Sequence, residues 1–144
     1  MDRKLLPAAQ AELTQLLNEF FYHLDEFQYE ALVALMEPDA RWHRQGKVQR
    51  GAAESLAALA QRSRTQRIRH VITNVQVTEL DSSDAKSIAY MTVYKHDDGV
   101  DAPPPRAIAG PAGVLLVSTH FRRHGDRWLV AEMNGTPEFQ ITPS

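Results

Sequence analysis

Between Ala8 and Leu24 the apolar residues Leu13, Leu16, Leu17, Phe20, Phe21 and Leu24 recur at three- and four-residue spacing, which aligns them along one stripe of a helix. A second apolar set, Phe27, Ala31, Leu32, Leu35 and Met36, stops at Glu37 before Pro38, whose ring disfavours helix in the residue preceding it. It predicts a short second helix. Ala40 to Arg44, with Trp42, predicts a short strand and Lys47 to Gln49 another, after which Gly51 opens an Ala-rich helix running to about Arg62.

Beyond Arg62 the pattern changes period. Ile68 to Leu80 and Ser87 to His96 are rich in β-branched and aromatic residues, with a turn at Asp81 to Asp84 between them. Val114 to Arg123 and Arg127 to Met133 predict a further strand pair joined at His124, Gly125 and Asp126, where glycine can take positive φ. Helices first and an antiparallel meander afterwards predict an α+β fold, with the N-terminal helices packed on one side of a curved, mostly antiparallel sheet. Asp97 to Gly113 interrupts the meander with Pro103, Pro104, Pro105 and Pro111. A connection of this length is read as a pocket lid, a subunit contact or a plain hairpin tip.

Composition narrows the partners. The 144 residues are expected to form one domain, 1–144, large enough to bury its own core. Sixteen Lys and Arg against eighteen Asp and Glu leave a formal charge of −2, so nucleic acid and anionic lipid are not expected partners. Cysteine is absent, which removes disulfides, thiolate nucleophiles and thiolate metal sites and fits a cytoplasmic location. No apolar run approaches the roughly 20 residues of a membrane helix. No secretory or other targeting pattern is read at the N-terminus, where Pro7, Gln10 and Glu12 interrupt the apolar run after Arg3 and Lys4.

The segments LDEFQYEALVALMEPDARW (Leu24 to Trp42), the Gly51 helix start, RHVITNVQV (Arg69 to Val77) and RRHGDRWLVAEMNG (Arg122 to Gly135) together resemble the NTF2-like superfamily, and within it the SnoaL-like group. The resemblance implies a cone-shaped, barrel-like α+β domain around an apolar pocket. It also places Asp25 and His70 where scytalone dehydratase, a bile-acid dehydratase and hexachlorocyclohexane dehydrochlorinase carry an aspartate–histidine dyad. The run His70 to Asn74 is similar to that of the dehydrochlorinase. The basic residues that assist the departing group there fall near Phe20 and Met133 in this chain, so dehydration is the expected reaction.

In that frame His70 is the expected base, since imidazole titrates near neutral pH, with Asp25 fixing its tautomer and stabilising the imidazolium. The alternative for Asp25 is a cap on the helix beginning near Phe27, and for His70 a hydrogen-bonded strand-start residue. Tyr22, three residues before Asp25, is the candidate auxiliary acid; otherwise it is a core aromatic. Strand alternation sets His70, Ile72 and Asn74 on one face, making Asn74 a candidate for orienting substrate. Trp42 and Tyr90 are candidate pocket walls, and His120 a further cavity residue. No histidine pair has metal-ligand spacing with a third carboxylate partner, and the sequence has no glycine-rich phosphate loop. Neither metal nor cofactor is expected. Arg62, Arg64, Arg67 and Arg69 read as a solvated basic surface or as an attractor of an anionic group.

The resulting expectation is a cofactor-independent lyase, dehydratase-like, acting on a small, largely apolar cyclic ligand. The alternatives are a polyketide cyclase or isomerase, and a non-catalytic assembly subunit similar to the small subunits of ring-hydroxylating dioxygenases. A broad sheet face suggests a homo-oligomer, dimer or trimer.

Overall fold

The structure, a computed structural model, describes residues 1–142. The first apolar stripe becomes helix α1 (Leu6–Asp25), with Pro7 in its first turn, where a missing N–H costs nothing. Then come α2 (Tyr29–Val33), β1 (Met36–Arg44), β2 (Lys47–Arg50), α3 (Gly51–Leu59), β3 (Arg67–Leu80), β4 (Asp84–His96), β5 (Gly113–His124) and β6 (Arg127–Phe139). The strands form one sheet in the order β2-β1-β6-β5-β4-β3, with β1 parallel to β6 and the other neighbours antiparallel. β2 and β3 remain edges, so the curved sheet is open where the resemblance implied a barrel-like closure. α1 lies against β3 and α3 against β1.

The second helix is shorter than the apolar spacing predicts. The chain leaves α2 at Val33, and the Val130 N–H donates to the Leu35 carbonyl at 2.8 Å, drawing Met36 into parallel pairing with β6. Pro38 sits inside β1, at the register shift between Met36 and Arg41, where its absent N–H breaks no ladder bond. Gly51 takes φ +69, and a Cβ there would lie 2.5 Å from the Pro38 carbonyl oxygen, so α3 starts hard against β1. The α3 helix ends at Leu59 rather than near Arg62, while β6 continues past Met133 to Phe139.

The core lies between α1 and the inner face of the sheet. Leu13, Leu17 and Phe20 meet Val117, Phe121, Val130 and Met133, all almost fully buried. The inner face takes alternate residues: Ala40, Trp42 and Arg44 from β1, Ala89, Met91 and Val93 from β4, and Val117, Thr119 and Phe121 from β5. In β3 the alternation breaks. His70 and Ile72 are the shielded positions before Asn74, and Val75 and Val77 after it, because Asn74 takes φ +55 in a bulge between Thr73 and Gln76. No helix among the described residues is long and apolar enough to cross a membrane.

Candidate active site

α1 ends at Asp25, and β3 passes that end at its fourth residue, which brings the two predicted residues together. The His70 backbone N–H donates to Asp25 Oδ2 at 2.9 Å. The ring Nδ1 is 2.5 Å from Asp25 Oδ1; a carboxylate only accepts, so Nδ1 is the donor to it, and in the neutral ring the lone pair is then on Nε2. The Asp25 side chain is 6 % exposed and that of His70 11 %. Phe21 backs the imidazole, with ring centroids 5.2 Å apart. Asp25 does not cap the next helix: α2 begins after Gln28 without a side-chain cap.

His70 lines a cavity of about 530 Å³ between the helices and the inner face of the sheet. Trp42, Met91, Val117 and Met133 form much of its apolar wall, and Trp42 is held edge-on by Phe20 at 5.0 Å between centroids. Asp25 stands behind His70 and is not part of the wall.

Tyr22, Tyr90, Asn74 and His120 are not brought to this cavity. Tyr22 lies about 200° around the helix axis from both Phe20 and Leu24; it is more than half exposed, and its ring packs edge-on against His23. Tyr90 alternates with the cavity residues Met91 and Val93 and is half exposed on the outer face of β4. Asn74 is an exposed bulge residue with a left-handed backbone, not a residue in phase with His70. His120 alternates with Val117, Thr119 and Phe121 and joins Asp84 on the outer face, Nε2 to Oδ1 at 2.7 Å. That contact, followed by one from the Ser83 hydroxyl, lowers the Asp84 pKa. Of the two wall candidates, Trp42 lines the cavity and Tyr90 does not.

Two arginines at the cavity escape the linear pattern. Arg44 shares the inward side of β1 with Trp42, and its guanidinium stacks 4.8 Å from the Trp42 ring centroid. Arg62 follows α3; its Nη1 donates to the Leu24 carbonyl at 2.9 Å and to the Tyr29 hydroxyl at 2.8 Å. Burial, and then the neighbouring Arg62 charge, push the Arg44 guanidinium below its ordinary range, with Tyr29 acting in the opposite sense. Arg64 and Arg67 lie elsewhere, each 5.4 Å from the Phe27 ring centroid. The two-residue spacing of Trp42 and Arg44 was a signal in the sequence for Arg44; Arg62 had none that separated it from its basic neighbours. Among the described residues no group of three His, Asp or Glu is placed to hold a metal ion.

The family model of the SnoaL-like domain matches residues 8–134. No curated protein matches the chain. Several solved structures share the fold. One from Catenulispora acidiphila, in complex with S-DNPA, has a TM-score of 0.73 at 20 % identity, covering 91 % of this chain and 94 % of its own. ActVI-ORFA from Streptomyces coelicolor has a TM-score of 0.72 at 18 % identity, covering 89 % and 96 %. An NTF2-like protein with a cystatin-like fold from Novosphingobium aromaticivorans has 0.73 at 18 %, covering 92 % and 84 %. At these identities the likeness concerns the fold.

Proposed function

The chain belongs to the SnoaL-like domain family, and from that premise we propose that it is a lyase in which the Asp25–His70 pair removes a proton from a small, largely apolar cyclic substrate and expels water. The observation that carries this reading is the double hold of one buried carboxylate on His70, at the ring and at the backbone, beside a cavity large enough for such a ligand. His70 Nε2 takes the proton from the acidic carbon; the C–H electron pair becomes the new C=C bond as the C–O bond breaks. The imidazolium, stabilised by Asp25, then gives that proton to the departing hydroxide, which leaves as water. With Tyr22 outside the cavity, one imidazole serves as base and then as acid.

Self-association through the outer sheet face belongs to the same reading. It is supported by exposed Val71, Tyr90 and Tyr94 on β3 and β4 and is checked by sedimentation velocity. The catalytic reading is tested by screening cyclic β-hydroxy carbonyl compounds for loss of water. Turnover of an identified substrate should fall by about 10²-fold or more in His70→Ala. Full turnover in that variant would discard the mechanism.

A further inference from the structure

The cavity has a charge imbalance that proton abstraction does not use. Arg44, Arg62 and Lys95 line it, and among the described residues no Asp or Glu does. Neither Arg44 nor Arg62 has a salt-bridge partner among the described residues. Arg62 donates to the Leu24 carbonyl, the Tyr29 hydroxyl and, through Nε and Nη2 at 3.2 Å each, the Gln66 amide oxygen, all of them neutral acceptors, while the Arg44 guanidinium has only the Trp42 ring. Two partly buried guanidinium groups lining one cavity are costly unless a negative charge offsets them. A planar guanidinium presents paired donors that suit an oxyanion.

We propose that the ligand of this cavity is an amphiphilic anion, its apolar ring body against Trp42, Met91 and Met133 and its single anionic oxygen group seated between Arg44 and Arg62, with Lys95 at the rim. The proposal rests on reading the cavity as the substrate site and adds a charge requirement to it. The apolar wall accounts for affinity toward the ring, and the arginines hold the ring in one orientation, with a fixed edge turned to His70.

The test compares two fluorescent probes of nearly the same shape on the full chain: anilinonaphthalene sulfonate, an anion, and uncharged N-phenylnaphthylamine. In Arg44→Gln the sulfonate Kd should rise about tenfold or more, while the uncharged probe changes by less than about twofold. Arg62→Gln should act in the same direction. Should it unfold, because Arg62 also ties Leu24 to Tyr29, Arg44→Gln decides alone, since the Arg44 guanidinium makes no hydrogen bond among the described residues. Equal changes for both probes, no change for either, or no saturable sulfonate binding to the native protein would overturn the proposal. A failure of the proton-transfer reading would appear as full turnover in His70→Ala with the difference between the two probes in Arg44→Gln unchanged, so the two ideas fail separately.

Discussion

Asp25 holds His70 at two points, with Oδ1 2.5 Å from the ring Nδ1 and Oδ2 2.9 Å from the backbone nitrogen. One carboxylate thereby fixes both the strand's position against the end of α1 and the tautomer of the imidazole. Asp25→Asn keeps the shape and one acceptor, yet its amide no longer favours a charged imidazole. Turnover should fall by about 10²-fold or more while the fold survives. Asp25→Ala leaves donors on His70 unpaired near the core and should cost about 1–3 kcal/mol as well. Steady-state rates and urea melts of the two variants separate the roles.

The Asn74 bulge is a second determinant of the site, because it puts His70 and Val77 on the same side of β3 despite their odd separation. Its left-handed backbone suits Asn and Gly but crowds a β-branched residue. Asn74→Gly should lie within about 1 kcal/mol of the native protein, whereas Asn74→Val should lose about 1–3 kcal/mol. Equilibrium denaturation of the pair checks this.

Gly51 meets two constraints at once, φ +69 and a carbonyl oxygen 2.5 Å from where a Cβ would stand. The obstacle is backbone of β1, the strand that carries Trp42 and Arg44, and it does not swing away. Gly51→Ala should lower stability by about 2 kcal/mol or more, read as a drop in Tm.

Asp97 begins the long connection after β4 and accepts the Thr65 hydroxyl at 2.7 Å and the Gly99 N–H at 3.1 Å. The Thr65 hydrogen bond first, then Ser63 and the Gly99 amide, hold its pKa at about 2, below the usual 3.8. A depressed pKa means that the tie is fully present above the unfolded value and lost as pH falls from about 4 through 2. The Thr65 and Gly99 resonances should titrate together in that window in an NMR series, and Asp97→Asn should abolish the shared transition.

Tyr22 offers a negative control. Its ring faces away from the Phe20–Leu24 stripe, and Tyr22→Phe should change turnover by less than about twofold, measured on the same substrate as His70→Ala. A larger loss would return the hydroxyl to the mechanism.

Read alone, the sequence determined the helix-then-meander order, the α1 stripe from Leu13 to Leu24, and, through its family motifs, the partnership of Asp25 with His70. These follow from local periodicity and from segments whose spacing survives without knowledge of packing. Tertiary structure decided the rest. Alternation states which residues share a strand face, yet not which face turns inward, so Tyr90 and His120 went outside while Trp42 went in. A single left-handed residue, Asn74, reset the phase of β3, and one backbone hydrogen bond from Val130 drew the chain after Leu35 out of a helical pattern. Arg44 and Arg62 became cavity residues because β1, the end of α3 and the inner sheet face converge on them. Convergence of distant elements sets solvent exposure, and a linear pattern of charges does not encode it.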